Sequence, residues 1–327
     1  MDPEPQALSL TLYGSGRPRA VALSELAALT PADDELLWID LTDAPAQACE
    51  QVWTALQLDR ASLPDRARTH PGLWKFKDYF VARVVAAVAK PGLEFDGAVL
   101  TIVAGANFVV THHHAAIDFL DELKARDEEA LSDIGCLGEA SFVAALLDWH
   151  LSTYFSAVAA YEIEIERLEN GILSDAPPGR SALPQLRLLR RAASRLRRML
   201  APQRVVFDGL SRPDFLPSSE EEVTRHLRDL DERYERAIDV VENARELVVG
   251  TFQLFSTQTE LQTNERMKLL TFVTVVTGLL AVVAGALGMN FEANFFATKT
   301  LGFWTAVALM VLLGAGSVFV GRRRNWL

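Results

Sequence analysis

The chain has 327 residues, 50% hydrophobic and 23% charged, with a formal net charge of −11. That acidity excludes a general nucleic-acid binder, which needs a basic footprint, and two cysteines, Cys49 and Cys136, exclude a disulfide framework. The charge is unevenly spread: residues 269–291 and 300–321 carry none, residues 269–327 as a whole hold one acid against four bases (net +3), and −14 is left for residues 1–268.

The opening MDPEPQALSL has no basic region followed by an apolar stretch, so no cleaved signal peptide is expected. Leu8, Leu10 and Leu12 alternate with other residues as in a strand, and Gly14-Ser15-Gly16 ends that run. Leu36–Leu41 (LLWIDL) reads as a short apolar strand, and Asp43 before Pro45 starts a helix that tolerates proline in its first turn. Tyr79–Val88 and Val99–Val103 are further strands, and Gly105-Ala106-Asn107 turns the latter into Phe108–Thr111 as a hairpin. Residues 1–113 are thus expected to be α/β.

After Ala115 the spacing of apolar residues becomes helical. It predicts helices over Ile117–Leu131 and Gly138–Leu173, a proline-rich break at Asp175–Pro184, and a very basic helix over Leu186–Leu210. The arginines there (Arg187, Arg190, Arg191, Arg195, Arg197, Arg198 and Arg204) are expected to pair with Glu162, Glu164, Glu166 and Glu169 of the preceding helix. Residues 1–217 read as one cytoplasmic α/β domain with a helical hairpin, closed by Arg212–Pro217.

Ser219 and Glu222 make a capping box, and no proline follows Ser218. The spacing predicts a helix from Glu220 to Leu287, about 100 Å long at 1.5 Å per residue. Leu227, Tyr234, Val241, Val248 and Phe255 recur every seven residues, with Leu230, Ala237, Ala244 and Thr251 at the complementary offset, forming a coiled-coil-like seam. This seam either packs against its own domain or faces copies of itself. It turns polar after Phe255 (Ser256, Thr257, Gln258, Thr259, Gln262, Thr263, Asn264), which suits a wet passage.

Crossing about 30 Å of hydrocarbon takes about 20 apolar residues, and both charge-free runs are long enough. Arg266 and Lys268 precede the first and Arg322–Arg324 follow the second, so both flanks are expected to be cytoplasmic. The expected division is a stalk over 218–268, a first span over 269–290, an external loop over 291–299, a second span over 300–321 and a basic tail over 322–327. Asn264, Met267, Leu270 or Thr271, Thr274, Gly278, Ala281, Gly285 and Gly288 form a small or mildly polar stripe on the first span, against bulky Phe272, Val275, Val276, Leu279, Val282 and Val283. Such a stripe either lets helices pack closely or lines a polar path. Gly288-Met289-Asn290 ends the span, with Gly288 suited to a left-handed cap.

At most two of His112-His113-His114 can share a metal, because neighbours in a strand point to opposite faces. The cluster reads as an exposed strand end, with cytoplasmic zinc sensing as the alternative. Both cysteines read as buried structural thiols. Hydrolytic and phosphate-loop motifs are missing, so the chain is not expected to be an enzyme.

The Gly288-Met289-Asn290 motif after the first of two C-terminal spans, Met267–Thr271 (MKLLT) at its entry, the end RRRNWL, and THPGLWKFKDYF at Thr69–Phe80 together resemble the CorA family of divalent-cation transporters. Arg197–Arg204 (RRMLAPQR) resembles the family's ZntB branch, associated with zinc. The resemblance implies a funnel-shaped homopentamer in the inner membrane that moves hydrated Mg²⁺, Zn²⁺, Co²⁺ or Ni²⁺, passively or coupled to protons, with a regulatory cytoplasmic metal possible between subunits. It implies that Asn290 is the outer selectivity residue and that Asn264, Met267, Leu270, Thr274, Gly278 and Ala281 line the pore. The chain departs from the family at Leu287, where a tyrosine is usual, at Leu279, where a proline is common, and in the loop FEANFFATKT, whose only acid is Glu292. A straighter pore helix follows from the missing proline. The competing reading is a membrane-anchored coiled-coil sensor or scaffold, in which the stripe is only packing.

Overall fold

A computed structural model describes residues 8–14, 17–125, 138–174, 182–216, 221–288 and 300–323. Seven strands form one sheet: β1 (Leu8–Tyr13), β2 (Arg19–Ala20), β3 (Leu36–Thr42), β4 (Gly72–Lys75), β5 (Tyr79–Lys90), β6 (Glu94–Gly105) and β7 (Phe108–His113). Their order is β2-β1-β3-β7-β6-β5-β4, antiparallel throughout except where β3 runs parallel to β7. The predicted turn at Gly105–Asn107 closes the β6–β7 hairpin, with Gly105 opposite Phe108 and Asn107 at φ 61. A longer hairpin, β5–β6, turns at Pro91-Gly92-Leu93, where Gly92 and Leu93 take positive φ.

Seven helices are described: α1 (Ala46–Ala55), α2 (Asp118–Lys124), α3 (Glu139–Leu173), α4 (Ala182–Leu200), α5 (Arg204–Ser211), α6 (Glu221–Leu287) and α7 (Thr300–Arg323). α1 starts one residue after Pro45, and the helix expected over Ile117–Leu131 is described only as far as Lys124. Alternate residues of β3 point to opposite faces, and both faces are buried. Leu37, Ile39 and Leu41 pack with Val52 and Trp53 of α1 on one side. On the other, Trp38 meets Phe142 of α3 edge-on, and the Tyr154 hydroxyl of α3 donates to the Val85 carbonyl.

The structure departs from three of these expectations and shows what covers the seam. The basic helix does not run unbroken over Leu186–Leu210: a 3-10 turn at Ala201–Gln203 separates α4 from α5, because Pro202 has no N–H for the helical ladder and its ring crowds the preceding turn. Among the described residues, its arginines find their ion-pair partners elsewhere than on α3, where they were expected. Arg195 bonds Asp96 of β6, while Arg197 and Arg204 bond Glu242 and Glu235 of α6. The histidine cluster is not an exposed strand end, since His112 and His113 are buried. The heptad seam of α6 is satisfied within one chain up to Thr251: Leu227, Leu230, Tyr234, Ala237, Val241, Ala244, Val248 and Thr251 are all buried, while Phe255, the last of the series, is half-buried. Tyr234 stacks on Phe207 of α5, its hydroxyl reaches the Leu200 and Ala201 carbonyls, and Tyr161 of α3 donates to the Ala244 carbonyl.

Burial along α6 stops at Thr251, where the chain passes from one compact unit to another. The first unit contains the sheet and α6 up to Thr251; the second contains the rest of α6, α7 and the end of α3 from Glu169. Cys49 is buried as expected. Ser219 of the capping box and Cys136 lie outside the described residues.

Candidate ion path

α6 remains helical from the soluble unit through Leu287 without a break, and α6 and α7 are the two described helices long and apolar enough to cross a membrane. Helices can do this because every interior backbone group bonds within the segment. Half-buried Phe272, Val276, Leu280 and Val283 mark the side of α6 turned toward α7. Phe272 and Val276 share a groove there with Leu313, Gly316 and Ser317.

On a 3.6-residue period the small stripe falls on the opposite side of α6. Asn264, Met267, Leu270, Thr274, Gly278 and Ala281 are all exposed, Met267 at 60% and Leu270 at 67%. A Cβ built on Gly278 or Gly285 would meet nothing within 4 Å. Within one chain, therefore, these small residues are not used to seat α7. The Thr274 hydroxyl donates to the Leu270 carbonyl at 2.8 Å. Its proton is committed to the helix, and its oxygen lone pairs remain available as acceptors. Thr277, exposed beside the stripe and bonded to the Val273 carbonyl, presents the same chemistry. Sequence reasoning missed it, although its position three residues after Thr274 and four before Ala281 is the signal that finds it. Thr259 and Thr263, in the polar stretch before the span, are also exposed and make the same bond to the carbonyl four residues back.

Gly288 closes α6, its N–H bonding the carbonyls of Ala284 and Gly285. Its φ is not in the left-handed region, so the expected left-handed cap is not formed there. Met289, Asn290 and Glu292 lie outside the described residues.

A second polar centre lies in the soluble unit at the carboxyl ends of parallel β3 and β7. Asp40, 2% exposed, accepts from Thr111 at 2.6 Å, Lys124 at 2.9 Å and Thr42 at 3.0 Å, with the His113 Nε2 at 3.3 Å. Burial alone would raise its carboxyl, but the hydrogen bond and charge of His113, then Lys124 and Thr111, hold it well below the usual carboxylate range. Burial pushes His113 down, and Asp40 more than reverses this, so its imidazole is raised. The His113 Nδ1 donates to the Ala115 carbonyl, which can only accept. His112 is lowered to about 4 by burial and by its histidine neighbours. The carboxylate's acceptor sites are thus spent on protein donors. Among the described residues, no group of three or more His, Cys, Asp or Glu side chains is arranged to hold a metal.

A family model described as "CorA-like Mg2+ transporter protein" matches residues 33–323. The cobalt/magnesium transport protein CorA of Thermotoga maritima is 24% identical over 294 residues, 89% of this chain and 83% of that protein. The divalent cation transporter CmaX of Pseudomonas aeruginosa is 27% identical over 330 residues, covering 97% and 95%. The complete structure of the CorA magnesium transporter from Methanocaldococcus jannaschii superposes with a TM-score of 0.76 at 21% identity, over 99% of this chain and all of the other. The ZntB cytoplasmic domain of Vibrio parahaemolyticus shares the soluble fold, with a TM-score of 0.58 at 12% identity over 80% of this chain and all of that domain. With two apolar C-terminal helices, an α/β soluble unit and a family match over most of its length, the chain belongs to the CorA-like family of divalent-cation transporters.

Proposed function

We propose that this chain carries Mg²⁺ or Zn²⁺, with Co²⁺ and Ni²⁺ as further candidates, through a pore built from copies of itself, five by the family resemblance. In this reading 218–268 is the cytoplasmic part of the pore helix and 269–290 the pore-lining span. The external loop is 291–299, the outer span 300–321, and 322–327 a basic tail. The protein sits in the inner membrane with both termini cytoplasmic, as the basic flanks of the two spans favour.

The observation that carries this reading is the exposed stripe Asn264–Ala281, set opposite the face that meets α7. It offers an amide, a thioether, hydroxyl oxygens and bare backbone, with no charge between Lys268 and Glu292. Mg²⁺ gives up its water reluctantly. Acceptors such as the Thr274 oxygen suit the waters of a hydrated ion, and a ring of Asn290 amide oxygens at the outer end would hold that ion by its shell. Outer-shell binding is weak enough to release the ion, which conduction requires. Glu292 adds one negative charge per copy to the external loop.

Dye-reported uptake of each divalent ion into proteoliposomes tests the reading, with a pH gradient imposed or removed to report proton coupling. Asn290→Ala should slow uptake by about tenfold or more, equivalent to about 1.4 kcal/mol. Thr274→Val, which keeps shape and removes the acceptor, should slow it less. Wild type inert to every divalent ion tried, or Asn290→Ala indistinguishable from wild type, would overturn the proposal.

A further inference from the structure

α4 carries a row of arginines that the ion-pairing pattern leaves out. Arg187, Arg191, Ser194 and Arg198 follow one another at helical spacings of four, three and four residues, with Arg190 beside them. Together these five line a shallow depression of about 370 Å³. No carboxylate is among the described lining residues. Arg195 and Arg197, on the two flanks of the same helix, each reach an acid, Asp96 and Glu242. Among the described residues, Arg187, Arg190, Arg191 and Arg198 have no carboxylate within ion-pair distance.

This pattern runs against the composition. The chain has 43 acids against 32 bases, so an unpaired arginine should find a carboxylate more easily than an unpaired acid finds a base. Like charges at i,i+4, here Arg187 with Arg191, also destabilise a helix by a few tenths of a kcal/mol. The apolar face of α4 (Leu186, Leu189, Ala193, Leu196 and Leu200) is fully used in the core, so burial does not dictate what stands on the outer face. Four guanidinium groups and one hydroxyl, all donors, converge on one open volume with no acceptor charge between them. Guanidinium forks match phosphate oxygens bidentately, and a row of them fits several linked or clustered phosphates better than a single small anion.

We propose that the outer face of α4 is a binding site for phosphate-bearing anions, either a soluble polyphosphate or the headgroups of anionic phospholipid. The site is separate from the ion path and independent of the transport reading.

The test uses the full chain in neutral detergent, titrated calorimetrically with inorganic tripolyphosphate. A parallel arm uses short-chain phosphatidylglycerol, with phosphatidylcholine of the same length as control. Tripolyphosphate binding would identify the soluble source, and a response to phosphatidylglycerol but not phosphatidylcholine would identify the lipid source. In either case Arg191→Glu and Arg198→Glu should each weaken binding by about tenfold or more. Raising the salt from about 0.1 M to about 0.3 M should weaken it as well. Arg191→Gln, which keeps a donor and removes the charge, should fall between wild type and Arg191→Glu, and circular dichroism reports whether each variant is folded. The proposal is overturned if neither phosphate compound binds, or if binding survives both charge reversals in folded protein. It is also overturned if the reversals change only the mass of the assembly, which would make the arginine row a contact between copies.

Discussion

At Asp40 a buried carboxylate is kept ionised by donors instead of water, and its neighbours give the soluble unit opposing responses to pH. The folded pKa of Asp40 is depressed, so its contribution is complete above about pH 4 and is lost as pH falls further. His113 is raised, so its contribution is complete below about pH 6.5 and is lost as pH rises through its folded value. His112 and His150 go the other way, both lowered to about 4 by burial. Their unfolded forms take up protons from about pH 6.5 downward, so stability falls between about 6.5 and 4. His150 is fully buried; its Nε2 meets the Gln203 amide oxygen at 2.8 Å and, among the described residues, its Nδ1 has no hydrogen-bond partner. Thermal unfolding of the full chain should therefore show a loss between about pH 6.5 and 4.5. His150→Gln, which still offers an amide donor to Gln203, should flatten that dependence, by up to about 3 kcal/mol near pH 4. An unchanged pH profile in this variant would contradict the assignment. The three consecutive histidines were visible in the sequence, and so was their alternation. The burial of His112 and His113 was not, because the setting of His113 depends on Asp40 and Lys124, which stand on either side of it in the chain and which only the parallel β3–β7 pairing and α2 bring close to it.

At the scale of elements, α6 shows how far a heptad pattern can be read. The positions of the seam were legible from Leu227 to Thr251, and so was the change of character after Phe255. Its partner was not legible, because a seven-residue repeat describes a flat apolar face and not what covers it. Here α3, α5 and the turn after α4 cover it within one chain. Tyr234→Ala should accordingly destabilise the soluble unit itself by about 3–5 kcal/mol, as for other large buried aromatics, seen as a lower unfolding temperature of the full chain. Were the seam a contact between copies, the same variant would lower the assembly's mass and leave unfolding nearly unchanged. The break in the basic helix had a readable cause in Pro202, yet the strong period of arginines and leucines on either side masked it. The α4 arginine pairs could not be assigned from neighbouring runs of opposite charge, since Asp96 lies in a strand 99 residues before Arg195.

For the whole molecule, the division into an acidic part and a nearly uncharged part was the most reliable sequence signal. It is local, needing only a count of consecutive residues, whereas the sheet order needs pairings between distant segments. The residues proposed to line a pore were legible only as a helical stripe, because the other walls of the proposed path would come from further copies. If five copies surround the path, native mass spectrometry from detergent should find five times the chain mass of 36.1 kDa. A monomer or dimer would contradict the ring. The seam that ends at Thr251 also bears on how the chain is made. All residues of the first unit precede the first membrane-spanning run, and residues 252–327 are still to be synthesised once Thr251 has been added. At roughly 5–20 residues per second, the 17 residues 252–268 that separate Thr251 from the first apolar run take about 1–3 s. The soluble unit therefore has its whole core in hand before either greasy segment needs to leave the ribosome. Folding of the one and insertion of the other can proceed as successive events during translation.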